Sequence, residues 1–227
     1  MAIYAIADLH LSFAENKPMD IFGVNWTKHE EKIEENWKNV VSENDLVLLP
    51  GDFSWAMALE NTLLDFKFLN KLPGKKILLK GNHDYWWATV SKTKKFLESN
   101  NIENIDFLYN NSFLFDNTII CGTRGWTEQE KDADKIIKRE NARLENSLRK
   151  GTEQFGDKKD IIVCMHYPPF TSNNEFLDTM KKYNVKKCIY GHLHGTEAQN
   201  LAKQGIIQGI EFKLVSSDYL GFKLVKV

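Results

Sequence analysis

Five times along this chain a short apolar run ends on residues that a hydrophobic core cannot use. Residues 2–7 lead into Asp8-Leu9-His10, residues 45–50 into Gly51-Asp52, and residues 75–80 into Gly81-Asn82-His83-Asp84. Residues 161–165 lead into His166, and residues 187–190 into Gly191-His192-Leu193-His194. Runs of this length and content read as buried strands. Segments with apolar residues at helical spacing separate the first three, so the first half of the chain reads as βαβ units of an α/β fold. Ligands in such sheets collect at the carboxyl ends of strands. The polar clusters therefore constrain the fold class and mark the place of a site.

The histidines carry the same pattern. Of six histidines, five stand at these strand ends, and only His29 lies elsewhere, at a helix start. Parallel strands bring such ends to one edge, which gathers five imidazoles, several carboxylates and the Asn82 amide. Burying that much polar and charged chemistry uncompensated is costly, and metal ions are the natural compensation. Mixed imidazole, carboxylate and carbonyl donors suit manganese, iron, zinc, cobalt or nickel better than calcium. The donors outnumber a single tetrahedral site, and two ions sharing a bridging carboxylate would use them all.

Along the rest of the chain, Thr27 and Glu30 predict a capping box at the start of a helix running to about Val41. Helices are also expected over about 56–71, 87–99 and 175–183. Residues 105–122 read as a meander with Asn110-Asn111 and Asp116-Asn117 turns. Residues 128–150 read as the longest helix, ended by Gly151, and a solvated face, a lid and a dimer contact are all open to it. Residues 206–227 read as two further strands around Asp218-Tyr219. With no repeat or linker, one domain spanning 1–227 is expected.

A formal net charge of −1 gives no field to attract nucleic acid or an anionic membrane, so neither is an expected partner. No apolar run approaches the roughly 20 residues that span a bilayer, and the start lacks the basic region and cleavage site of a signal peptide. Cys121, Cys164 and Cys188 are odd in number and widely separated, as expected of reduced, buried thiols in a cytoplasmic protein.

Taken in order, Asp8-Leu9-His10, Gly51-Asp52, Gly81-Asn82-His83-Asp84, His166 and Gly191-His192-Leu193-His194 resemble the signature of the calcineurin-like metallophosphoesterases. The resemblance runs from residue 8 to residue 194. It implies a four-layer α/β/β/α sandwich of two mixed sheets, with a dinuclear metal site at the strand C-terminal ends. One ion would be held by Asp8, His10, Asp52 and His194, and the other by Asp52, Asn82, His166 and His192, with manganese the foremost metal. His83 would face the substrate phosphate, and Asp84 would orient its ring. Two ions about 3.5–4 Å apart lower the pKa of a shared water and clamp phosphoryl oxygens.

The expected activity is therefore attack of a bridging hydroxide on a phosphomonoester or phosphodiester of a small, nucleotide-like substrate. His83, where protonated, would assist the leaving group, and the Asp84 carboxylate would favour its charged form. Arg124, in a glycine-bracketed loop, matches phosphate oxygens bidentately and is a candidate substrate contact. Trp55, Trp86 and Trp87 follow the metal blocks and read either as an aromatic wall or as core. Trp55 stands where protein Ser/Thr phosphatases carry a second Asp, and Asp84 replaces their Glu, so the substrate is not expected to be a phosphoprotein. Two alternatives are a nuclease and a binding module that keeps the fold without catalysis. The missing basic surplus opposes the first, and the complete ligand set opposes the second. Substrate choice is expected to lie in residues 12–26, in residues 123–150 and in the loop after Pro169.

Overall fold

The βαβ series builds one half of a sandwich, and the second half of the chain builds the other. In the computed structural model, which describes residues 1–15 and 17–227, the first half runs β1 (Ile3–Ala5), α1 (His29–Val40), β2 (Leu46–Pro50), α2 (Leu63–Asn70), β3 (Lys75–Leu79), α3 (Val90–Ser99) and β4 (Ile105–Phe107). The second half runs β5 (Phe113–Phe115), β6 (Thr118–Thr123), α4 (Ala133–Phe155), β7 (Asp160–Met165), α5 (Glu175–Lys182) and β8 (Lys187–Tyr190). It continues with α6 (Gly195–Asn200), β9 (Gly205–Ile207), β10 (Ile210–Leu214) and β11 (Val225–Lys226). The first sheet has the order β11-β1-β2-β3-β4, parallel except for β11. The second has the order β5-β6-β7-β8-β10-β9, with a parallel centre and an antiparallel strand at each edge.

Strand side chains alternate between faces, and that alternation sorts the apolar residues into three layers. Ala5, Leu48, Ile77 and Leu79 of the first sheet meet Ile120, Ile162, Cys164 and Ile189 of the second between the sheets. Their neighbours Val47 and Leu78 point outward onto Ile33 and Trp37 of α1, Phe66 of α2 and Leu97 of α3. On the other side Ile119, Val163 and Cys188 pack against Leu144 and Leu148 of α4 and Phe176 and Met180 of α5. Two mixed sheets flanked by helices result, which is the expected α/β/β/α sandwich. All three cysteines are buried and free. Among the described residues no helix is long and apolar enough to cross a membrane.

Several local expectations are corrected. The stretch 105–122 is not a meander: β4 closes the first sheet and β5–β6 opens the second, so the chain crosses between layers there. Its turn residues are the same in either case, and only pairing tells the two apart. The Thr27–Glu30 capping box does not form. Lys28 takes a left-handed conformation before α1, and the Glu30 carboxylate turns to His29 Nδ1 at 3.1 Å. The second helix begins only after a short 3₁₀ turn, and α3 starts at Val90 with Thr89 as its cap, Oγ1 accepting from Lys92 N–H at 3.2 Å.

Helix α4 runs through Gly151 to a glycine cap at Gly156 (φ 93°). Gly151 is there for packing, since a Cβ would lie 2.7 Å from Ile119 Cγ2 on β6. The tail holds three strands rather than two, the extra one being half of the β9–β10 hairpin.

What positions the site is the way the two sheets meet. Beyond β1, Ala7 N–H donates to Val215 O at 2.7 Å and Ser217 N–H donates to Ala7 O at 3.0 Å. The carboxyl end of the first sheet's β1 is thereby stitched to that of the second sheet's β10.

Candidate metal centre

The strand ends do not simply stop; they turn sharply. Asp8, His10, Asp52 and His192 take φ of 60°, 47°, 52° and 72°. A left-handed conformation in a residue with a Cβ costs on the order of 1–3 kcal/mol and persists only where the surroundings enforce it. Here the backbone does so, with Asp8 N–H on Gly51 O and His10 N–H on Asp52 O, both at 3.0 Å. The β3 turn closes onto this pair because residue 81 is glycine. A Cβ there would lie 2.0 Å from Asp52 Oδ1.

Asp84 is the peg of this arrangement. Its buried carboxylate accepts from the backbone N–H of Gly81 (2.7 Å), Phe53 (2.9 Å) and Asp52 (3.0 Å) and from Trp86 Nε1–H (3.0 Å). That corrects the expectation that it orients the His83 ring: its lone pairs are spent on tying the β2 and β3 turns together. The His83 ring has no bond to it among the described residues, and His83 Nδ1 is buried without a partner. The His83 backbone N–H donates to Asp52 Oδ1 at 2.8 Å.

All seven expected ligands converge. Asp8, His10 and His194 offer ligand atoms within 4.8 Å of one another, and so do Asp8, Asp52 and His166. Asn82 Oδ1 lies 2.6 Å from His166 Nε2 and 3.0 Å from His192 Nδ1. His166 Nδ1–H is committed to Pro50 O at 3.0 Å, so Nε2 meets that oxygen with a lone pair. His194 Nδ1 is held by Asp218 Oδ1 at 2.9 Å, which turns Nε2 toward His10 Nε2 at 3.3 Å.

Asp8 Oδ1 and Asp52 Oδ2 are buried and accept no hydrogen bond. Each lies 3.5–3.8 Å from an imidazole nitrogen: Asp8 Oδ1 is 3.6 Å from His166 Nδ1, and Asp52 Oδ2 is 3.5 Å from His166 Nε2 and 3.8 Å from His10 Nε2. The lone pairs of Asn82 Oδ1, Asp52 Oδ2 and His166 Nε2 aimed at one another, with buried carboxylate oxygens left without donors, make a donor set that fits divalent cations.

The electrostatics point the same way. Burial, then repulsion from Asp52, pushes the Asp8 carboxyl up to about 7 against the pull of His194, and burial raises Asp52 as well. Burial pulls His166 and His192 down to about 3 each, and it lowers His10, which neighbouring imidazoles lower further. Carboxylates resist ionising and imidazoles resist protonation within one pocket, and a cation favours the deprotonated form of both. His194 is the exception. Burial works against its charge, yet the Asp218 bond and the carboxylates of Asp8, Asp218 and Asp52 raise it to about 9.

Asp218 was missed in the sequence. The available signal was its type and place, a carboxylate just past strand β10 beside the turn residues Ser216 and Ser217.

The centre opens on a cavity of ≈ 820 Å³ whose lining includes His10, His83, His194, Trp26, Trp55 and Tyr85. Trp55 stacks on the His10 ring at 4.8 Å, and Lys17 Nζ sits 3.4 Å over the Trp55 ring. The expected 12–26 segment does line this cavity, through Lys17, Met19 and Trp26 among others, while residue 16 lies outside the described residues. Trp86 is core, set edge-on to Phe66. Arg124 is separated from this opening. Its carbonyl accepts from His166 N–H at 3.1 Å, and it lines a different cavity together with Trp87.

A family model described as calcineurin-like phosphoesterase matches residues 1–196. Among curated proteins no sequence matches. Among solved structures the chain is similar to a protein of unknown function from Aquifex aeolicus, at 17% identity and a TM-score of 0.53, covering 99% of this chain and 95% of that one. It is similar to the phosphopantetheinyl hydrolase of Mycobacterium tuberculosis, at 15% identity and a TM-score of 0.58, covering 100% and 95%. A Thermus thermophilus protein matches at 11% identity and a TM-score of 0.59, covering 99% and 97%.

Proposed function

The chain belongs to the calcineurin-like phosphoesterases, metal-dependent hydrolases of phosphate esters, and from that premise we propose that it uses two divalent ions, manganese foremost, to cleave a phosphomonoester or phosphodiester bond of a small, nucleotide-like substrate. One observation carries the reading: Asp8 Oδ1 and Asp52 Oδ2 lie buried against imidazole nitrogens with no donor. Asp8, His10, Asp52 and His194 would hold one ion, and Asp52, Asn82, His166 and His192 the other. Ions bound there supply Lewis acidity toward phosphoryl oxygens and a nucleophile from water at neutral pH.

The chain's own groups divide the remaining work. His83 borders the open cavity with Nδ1 uncommitted. Burial holds its imidazole below the usual range, so the ring is neutral until an anion arrives. An incoming phosphate favours the charged form, and a proton held on the ring then serves the leaving oxygen, a contribution of about 10²–10⁴-fold. Arg124 is assigned to the substrate as well, through the second cavity that it lines rather than through this opening. Trp26 and Trp55 form the buried wall of the open cavity, Trp55 stacked on His10 and covered by Lys17, and so shape the space left for the substrate's organic part. Asp84 is a positioning residue, acting through the backbone of Asp52 and Gly81. Three buried, free thiols fit a reducing cytoplasm.

The test is hydrolysis of p-nitrophenyl phosphate and bis(p-nitrophenyl) phosphate with Mn²⁺, with chelator, and in Asp52→Asn. Turnover is expected with Mn²⁺ alone and is expected to vanish in the other two arms. Turnover that survives chelation and the substitution would overturn the reading.

A further inference from the structure

Beside the strand ends of the metal centre, where the Arg124 carbonyl holds the His166 N–H, lies a second cavity of ≈ 740 Å³ whose lining is unlike the first. Lys80 comes to it from the end of β3, Arg124 from the end of β6, and Arg139 and Arg143 from α4, around the single carboxylate of Glu140. Glu140 is buried and already committed. Oε2 accepts from Thr123 Oγ1–H at 2.7 Å, and Oε1 accepts from Arg143 Nη1–H at 2.7 Å with Arg139 Nε at 3.5 Å. Lys80 and Arg124, both half-buried, pair with no carboxylate among the described residues. The cations also act against one another: Arg124 feels Arg139 and Arg143, and Lys80 feels Arg124 and Arg143.

A basic helix face is ordinarily just solvated, and α4 has such a face, where Arg149 pairs with Glu153 at 2.9 Å. The cavity is different. One of its cations, Lys80, sits on the strand end that also carries Asn82, the carbonyl of another, Arg124, holds the His166 N–H at 3.1 Å, and a chain of net charge −1 has no general surplus to explain the crowding. Four cations against one spent carboxylate leave room for a dianion, and arginine forks match phosphate oxygens bidentately.

Arg124 joins the two places. Its charge acts on Asp52 and His166 on one side and on Glu140, Arg139 and Arg143 on the other. We propose that this cavity is a subsite for a second phosphate group of the substrate, so that the preferred substrates are small organic molecules bearing two phosphates. The proposal rests on the phosphoesterase reading above for the bond cleaved, while the subsite is assigned from its own residues. One phosphate lies at the ions, and the other lies between Arg124, Lys80, Arg139 and Arg143.

Two measurements test it. The first is calorimetric titration of inorganic pyrophosphate into chelator-stripped protein, which removes the ions that would draw an anion to the metal centre. Binding is expected to weaken at least tenfold in Arg139→Gln and in Arg143→Lys, which keeps a cation for Glu140. Binding should be unchanged in Arg149→Gln on the outer face. Absent binding, or binding indifferent to all three variants, overturns the subsite.

The second is kcat/KM for two matched pairs, adenosine 3′,5′-bisphosphate against adenosine 5′-monophosphate and fructose 1,6-bisphosphate against fructose 6-phosphate. A higher value for the bisphosphate in either pair, with a ratio that falls at least tenfold in Arg143→Lys, supports the proposal. No preference in either pair, or equal losses for both members, overturns it. If no phosphate ester is hydrolysed at all, p-nitrophenyl esters included, the phosphoesterase reading fails, and the titration alone decides the subsite.

Discussion

A histidine at a metal centre has two nitrogens to commit, and the ligand it becomes depends on the partner of the other one. His166 gives Nδ1–H to Pro50 O at 3.0 Å, and His194 gives Nδ1–H to Asp218 Oδ1 at 2.9 Å. The two partners differ in charge, and so does their leverage. Asp218 raises the basicity of His194, and its other oxygen accepts from Gln199 Nε2–H at 2.8 Å and Gly195 N–H at 3.2 Å, which fixes the turn that carries the ring. Outer partners of this kind typically contribute 10–100-fold to metal affinity. Asp218→Asn keeps the shape and loses the charge, so it should weaken Mn²⁺ binding by roughly 10–100-fold. Titration calorimetry reads this directly, and an unchanged affinity would remove Asp218 from the centre.

At the scale of elements, two features follow from strand alternation. Gly151 lets α4 lie close on β6, so a helix that looks solvated in sequence buries Ile137, Leu144 and Leu148 as the outer layer of the second half. On β3 the alternation that sends Leu78 toward the helices sends Lys76 there too. It is 1% exposed, with its ammonium on the Leu72 carbonyl. Burial pulls its pKa from the usual 10.5 down to about 8, slightly opposed by Glu43.

The sign of the effect follows by linkage. From about pH 8 to 10.5 the unfolded chain holds more protons at this lysine than the folded one, so this group's contribution to stability rises with pH there. Below about 8 both states are protonated, and the full cost is present. Lys76→Met should therefore stabilise the fold at pH 7, by no more than about 3 kcal/mol, and the gain should shrink to nothing by pH 10.5. Urea midpoints of both proteins at the two pH values decide it, and a gain that does not shrink with pH would contradict the assignment.

Across the whole molecule the centre is where the two sheets are fastened together. Asp8, His10, Asp52 and Asn82 come from the first sheet's strand ends, and His166, His192 and His194 come from the second's, beside the Ala7–Val215 stitch. An ion held by both sets binds only the assembled sandwich. At about 100 times its Kd it stabilises by about 2.7 kcal/mol. For a chain of this length that is a melting-temperature rise of roughly 5–10 °C. Melting curves with Mn²⁺ and with chelator, in the parent and in Asp52→Asn, check it; equal melting temperatures in the parent would mean that no such ion spans the sheets.

The same convergence separates what the chain determines alone from what folding decides. The apolar runs, their order and the polar residues that end them are local facts, so the α/β class and seven converging donors could be read from sequence. Alternation of side chains along a strand is equally local, and it dictated the three apolar layers. Partner choice is not local. Whether residues 105–107 continue a meander or close a parallel sheet, whether Gly151 ends a helix or docks it, and whether Asp84 reaches His83 or the Asp52 backbone are settled by groups far away in the chain. Asp218 meets His194 from 24 residues on, and Glu140 takes the Thr123 hydroxyl only once α4 lies on β6. Those contacts are fixed by tertiary packing, because only in the assembled sandwich do groups distant in sequence compete for the same few hydrogen bonds.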